Sequence, residues 1–122
     1  MNSETTLKNA VSSRSKAANF ISTLSQLDRT MKLNELQVIL FVAMNQDQEG
    51  GLTTNDIKGI FDLSSPTLSR LTYYWADGVA GSPQTGHGLL SVSIDASDRR
   101  RRLLRLTPKG EKFFKELEYI LD

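Results

Sequence analysis

The chain has 122 residues, 39% hydrophobic and 24% charged, which fits one globular domain, residues 1–122, rather than a disordered segment. It has no cysteine, which excludes disulfides, thiolate zinc sites and thiol redox chemistry and fits a reducing cytoplasm. Net charge is +1, no apolar run approaches the roughly 20 residues that span a bilayer, and Met1-Asn2-Ser3-Glu4-Thr5-Thr6 lacks a signal-peptide pattern, so a cytoplasmic protein without a membrane partner is expected.

Residues 1–6 are polar and expected to fray. Leu7, Val11, Ala17, Ala18, Ile21, Leu24 and Leu27 then recur at helical spacing, widened by Phe20, and predict a first helix over 7–27. Its N-terminal half extends past what a small core needs. The stripe is therefore expected to meet a second subunit, with packing inside its own domain as the alternative. Asn34, with Gln37 three residues on, reads as a capping box. Leu36 to Met44 is apolar nearly all round, which predicts a central helix buried on several sides; strand is the competing reading. Asn45 to Gly51 is a polar, Gly-ended loop.

Thr53 and Asp56 form a second capping box, opening a helix with Ile57, Ile60 and Phe61 inward. Leu63-Ser64-Ser65 is a turn, with Ser64 or Ser65 capping the next helix and Pro66 in its first turn, where the missing N–H costs nothing. Residues 53–76 thus read as a helix-turn-helix. Leu68, Leu71 and Trp75 are placed inward, Trp75 as a core plug. Ser65, Thr67, Ser69, Arg70, Thr72 and Tyr73 are left largely outward, a set rich in short hydrogen-bonding groups suited to a major groove. For Arg70, a phosphate contact and an internal salt bridge or plain surface role stand equal. Tyr73 and Tyr74 face different ways, one to the core and one to the surface.

Asp77 to Gly88 is a Gly-rich loop in which the single histidine, His87, is expected to be exposed. Residues 89–106 read as a hairpin: Leu89 to Ile94 and Leu103 to Leu106 are β-prone, and Asp98 with Arg99, Arg100, Arg101 and Arg102 interrupts them. Arginine is almost never buried unpaired, so packing explains a guanidinium-loaded tip poorly and a polyanion explains it well. Pleat alternation sets Arg99 and Arg101 opposite Arg100 and Arg102, so not all four can face one partner; a solvated charge run is the bland alternative. Thr107-Pro108 starts a last helix over 108–121, with Phe113, Phe114, Leu117, Ile120 and Leu121 on one face. The whole reads as mainly α with a small β-hairpin (α+β), a winged helix-turn-helix of order α-α-(β)-α-α-β-β-α.

Two segments carry a resemblance. Leu52-Thr53-Thr54-Asn55-Asp56-Ile57 through Leu63-Ser64-Ser65-Pro66-Thr67-Leu68-Ser69-Arg70 resembles the helix-turn-helix of the MarR family of winged-helix transcription regulators. Asp95-Ala96-Ser97-Asp98-Arg99-Arg100, followed by Leu104-Arg105-Leu106-Thr107-Pro108-Lys109-Gly110, resembles that family's wing signature. The resemblance implies sequence-specific binding of double-stranded DNA, an inverted repeat read by a homodimer. It sets Ser65, Thr67, Ser69, Arg70 and Tyr73 at the major groove and Arg100, with Arg99 and Arg101, at the minor groove. Asp98 organises the wing, with Arg70 its candidate partner. Dimerisation falls to the terminal helices, through Val11, Ala18, Ile21, Leu24, Leu117 and Leu121; the short SarA-like regulators use their first helix. The chain departs from the pattern by about ten extra residues, Gly78 to His87, ahead of the wing, and it ends where the family has one more long helix.

No enzyme is expected: the lone histidine lacks a triad or metal-ligand companion, no glycine loop cradles phosphate ahead of a helix, and no carboxylate pair sits in an apolar setting. No metal or cofactor is implied, and a small-molecule effector is not specified. The alternative function is a winged-helix adaptor or accessory factor of phage or plasmid type that binds another regulator, motivated by the long loop and the near-neutral charge.

Overall fold

The computed structural model describes residues 3–77 and 86–122, with side chains from Ser12 onward. Among these residues the order is α1 (Ser3–Leu27), α2 (Leu33–Asn45), α3 (Thr54–Ile60), α4 (Ser65–Trp75), β1 (Leu90–Asp95), β2 (Asp98–Leu106) and α5 (Pro108–Leu121), the strands forming one antiparallel sheet. The mainly helical α+β class is as the sequence predicts. Two compact units divide the chain: Lys32–Phe113, and Met1–Met31 with Phe114–Asp122.

In the larger unit, α2 begins at Leu33 rather than after Asn34. The Lys32 N–H donates to Glu35 Oε1 at 2.7 Å. An ionised carboxylate accepts an orphan N–H better than the neutral amide of Gln37, and its charge suits a helix N-terminus. Val38, Ile39 and Val42 are buried, whereas Leu33 and Met44 are 77% and 79% exposed. The helix therefore hides one side, not all of its circumference.

The α3 capping box forms as predicted: Asp56 N–H donates to Thr53 Oγ1 at 3.1 Å, and Thr53 N–H to Asp56 Oδ2 at 2.9 Å. Ile57 is fully buried, but Ile60 is 57% exposed and does not face inward. The helix stops there, and the neighbouring Phe61 fills the space by meeting Phe41 edge-on at 5.6 Å. Asp62 makes the reversal at φ 50°, a left-handed position that aspartate tolerates better than most residues. Ser64 caps α4, accepting from the Thr67 N–H at 3.3 Å. Leu71 and Trp75 are buried, and the Trp75 Nε1–H donates to the Glu35 carbonyl at 2.7 Å. That bond removes the one polar cost of using tryptophan as a core plug.

The hairpin pairs Leu90 with Leu106, Val92 with Leu104 and Ile94 with Arg102, then shifts register so that Asp95 meets Asp98. Leu52 and Thr53 add a short third edge: Leu104 N–H donates to the Leu52 carbonyl at 2.8 Å, and Thr53 bridges Leu103. An isolated bridge, not a strand, stands where the bracketed strand of the expected order was placed. Leu52, Ile57, Trp75, Leu89 and Leu104 are fully buried at the junction of sheet and helices.

Two polar clasps set the hairpin's base. Gln46, buried at the end of α2, accepts from Leu106 N–H at 2.8 Å and donates to Glu111 Oε1 at 2.8 Å. Thr107 caps α5: its hydroxyl oxygen accepts from Gly110 N–H at 3.0 Å while the hydroxyl donates to the Gly88 carbonyl at 2.6 Å. Gly110 has to be glycine for a steric reason, because a Cβ there would overlap the carbonyl oxygen of Leu89.

In the smaller unit, α1 begins at Ser3, so the frayed tail expected over 1–6 is helical from its third residue. Extending a nucleated helix by a turn of polar residues costs little. Leu24, Phe114 and Leu117 are buried, whereas Ile21, Tyr119 and Leu121 are 54%, 83% and 49% exposed. Lys16 Nζ donates to the Asp122 carbonyl at 2.9 Å. No helix among the described residues is long and apolar enough to cross a membrane.

Candidate nucleic-acid interface

Helix α4 turns Ser65, Ser69, Arg70 and Tyr73 outward, as predicted. Thr67 is only half-exposed. Its hydroxyl oxygen accepts from Arg70 Nη2 at 3.3 Å and from the Ser64 hydroxyl at 2.9 Å, so it belongs to the helix start. Ser65 Oγ accepts from Lys58 Nζ at 2.8 Å, tying α3 to α4. Thr72 does not point outward freely: its hydroxyl donates back to the Leu68 carbonyl at 2.8 Å. Tyr73 is 45% exposed, while Tyr74 is half-buried and meets Trp75 edge-on at 4.7 Å.

His87 corrects an expectation. It is half-buried, its ring edge-on to Tyr74 at 4.7 Å and 5.7 Å from Trp75, and its backbone N–H donates to the Tyr74 carbonyl at 3.0 Å. The Gly-rich context signalled exposure, but the backbone returns along the end of α4 and carries the ring onto two aromatics. Of the inserted segment Gly78 to His87, residues 78–85 lie outside the described residues.

The arginines do not form the tip. The turn is Asp95-Ala96-Ser97-Asp98, and Arg99 to Arg102 belong to β2, with the register shift falling between Ile94 and Asp95. Each then has a separate fate. Arg100 is bound by Asp98: Nε donates to Oδ1 at 3.1 Å, Nη2 to Oδ2 at 3.3 Å, and the Arg100 N–H to Oδ1 at 3.1 Å. Its side chain is nonetheless 91% exposed, so the carboxylate orients the guanidinium without hiding it. Arg70 is therefore not the partner of Asp98; it lies along α4, and the residue two places on reaches the carboxylate first.

Arg101 turns inward instead, donating to Asp95 Oδ2 at 2.7 Å and to the Gly50 carbonyl at 2.6 Å. It braces the wing to the loop after α2, with its side chain 37% exposed. Arg105 is similarly engaged, by the Gln46 carbonyl at 3.0 Å and Asp47 at 2.8 Å. Arg99 and Arg102 are exposed and form no ion pair among the described residues. The Asp98 carboxyl is held below its ordinary pKa, chiefly by the Arg100 side chain and then by the Arg100 N–H. Asp95 is lowered chiefly by the Ser97 hydroxyl and N–H, with Arg101 adding to them.

Between α4 and the wing lies an open cleft of about 610 Å³, whose lining includes Leu68, Ser69, Tyr73, Asp77, Val92 and Arg102. Sequence reasoning left Arg102 out of the interface; the register that pairs it with Ile94 is what brings it to this cleft. Gln46, Asp47 and Gly50 were also missed as wing supports, having only the look of a polar loop. Among the described residues no cluster of histidine, aspartate and glutamate could hold a metal ion.

No family model matches the chain, and no curated protein matches it either. Solved structures do. A MepR point mutant from a multidrug-resistant S. aureus clinical isolate superposes with a TM-score of 0.68 at 23% identity, over 99% of this chain and 77% of that one. The multiple antibiotic resistance repressor MarR gives 0.59 at 14% identity, over 99% and 75%. The chain has the winged-helix fold of the MarR regulators. The S. aureus MepR–DNA complex also matches this MarR-type fold, with a TM-score of 0.64 at 26% identity over 89% of this chain and 69% of that one.

Proposed function

We propose that the protein binds double-stranded DNA and regulates transcription, with α4 in the major groove and the wing at the adjacent minor groove. The observation that carries this reading is the Asp98-oriented, almost fully exposed guanidinium of Arg100 on the same unit as the polar face of α4. A cation fixed in direction but left in solvent suits a phosphate-lined groove and does little for stability, since water and salt screen an exposed ion pair. The likeness to a MepR–DNA complex supports the same reading. Ser65, Ser69, Arg70 and Tyr73 are the α4 contacts, Thr67 reaching DNA only at its cap; Arg99 and Arg100 are the wing contacts, and Arg101 is a support.

The protein acts as a homodimer on an inverted repeat, its two recognition helices about 34 Å apart or a multiple of that. Ala18, Ile21 and Leu121 remain available for the subunit interface, whereas Leu24 and Leu117, 5% and 1% exposed, are already buried within the chain. The Val11 side chain lies outside the described residues. Tyr119 joins the interface.

Fluorescence anisotropy with a random duplex at low salt tests this. Binding at micromolar concentration or tighter is expected, as is general weakening for Arg100→Ala across sequences. Absence of binding would favour an adaptor that captures another protein. Affinity unchanged by Arg100→Ala would remove the wing from the reading.

A further inference from the structure

We infer that Arg102 makes a second, separate phosphate contact, holding the DNA strand that crosses the cleft between α4 and the wing. The inference rests on the DNA-binding reading above and extends it to a residue outside the wing tip. Its basis is the division of the arginine run. Asp98 engages Arg100, and Asp95 with the Gly50 carbonyl engages Arg101, while Arg102 is exposed and forms no ion pair among the described residues.

The register fixes where Arg102 stands. It pairs with Ile94, two residues beyond the Val92–Leu104 pair and so on the same sheet face as Val92. Val92 lines the cleft, and Arg102 lines it too, facing Ser69 and Tyr73 of α4. An arginine, a serine hydroxyl and a tyrosine hydroxyl around one trough are donors for phosphodiester oxygens. Asp77 lies on the same cleft and repels phosphate from its end, which leaves the Arg102 side for the backbone. The trough lies between the groove-reading helix and the minor-groove wing, where a strand passing from one groove to the other has to run.

Salt titration of duplex binding tests it with wild type, Arg102→Gln, Arg102→Lys and Arg100→Gln. Each phosphate contact adds about 0.9 to the slope of log affinity against log salt. Arg102→Gln is expected to flatten that slope by about 0.9, so the wild-type advantage shrinks about 3.5-fold between about 50 and 200 mM salt. Arg102→Lys keeps the charge and is expected to restore the slope; failure to restore it counts against a phosphate contact. A wild-type slope in Arg102→Gln, beside a flattened one in Arg100→Gln, overturns the inference alone. A wild type that binds no duplex overturns it together with the DNA-binding reading.

Discussion

At the scale of single residues, the wing is organised by two aspartates with different jobs. Asp95 shapes the turn through Ser97 and anchors Arg101; Asp98 orients Arg100. Both carboxyls are held below their ordinary pKa. A depressed folded pKa contributes stability that is present above the unfolded value, about 3.9, and is lost as pH falls through the folded value. The wing ties should therefore be intact and pH-independent around neutrality and loosen only in acid below about pH 4. Following the Ser97 and Arg100 amide resonances through an acid titration checks this: both should move with midpoints below about 3.9, and a midpoint above it would contradict the assigned bonds. The arginine run was plain in the sequence, but its division was not. Pleat alternation pairs Arg99 with Arg101, whereas the register shift at Ile94 and Asp95 breaks that alternation and assigns each side chain by what lies near it.

At the scale of elements, α5 is seated by the clasp of Thr107 and by the close approach of Gly110 to Leu89. Alanine normally improves a helix over glycine by about 1 kcal/mol. Here the sign reverses, because the added methyl meets rigid backbone rather than a yielding side chain. Gly110→Ala should destabilise by about 1–3 kcal/mol, the range for overpacking. Calorimetry should show a melting temperature lower by several degrees, and an unchanged or raised value would refute the steric account. Capping residues were legible for α3 and α4, where Thr53, Asp56 and Ser64 act locally. The α2 start was misplaced by two residues: the N-cap is Lys32 rather than Asn34, and Glu35 three residues on accepts the Lys32 N–H, where Asn34 with Gln37 gave the same spacing.

At the scale of the whole molecule, the exposed apolar residues of α1 and the end of α5 bear on assembly. Ile21 is 54% exposed on a 25-residue helix whose Leu24 is buried. Burying an isoleucine contributes about 1.5–3 kcal/mol, and a symmetric interface counts it in both subunits. Ile21→Glu should therefore weaken a dimer by roughly 100-fold or more. Sedimentation equilibrium at micromolar concentration should then show a dimer for wild type and a monomer for the variant. A wild type that stays monomeric, or a variant that stays dimeric, would move the interface away from this stripe.

By itself the sequence determined the element order, the helix-turn-helix caps, Trp75 as a core plug and the presence of a cationic hairpin. These depend on hydrophobic period, local hydrogen bonding and turn chemistry, all of which act within a few residues. The tertiary structure alone decided which arginines remain free, that His87 packs edge-on against Tyr74 beside Trp75, that Gln46 is buried as a clasp, and that Leu24 and Leu117 are hidden. Two of those rest on partners far along the chain, 51 residues for Arg101 and Gly50 and 60 for Gln46 and Leu106. No local pattern encodes such a distance, because which side chain finds a carboxylate or a carbonyl first is settled only when the backbone has closed.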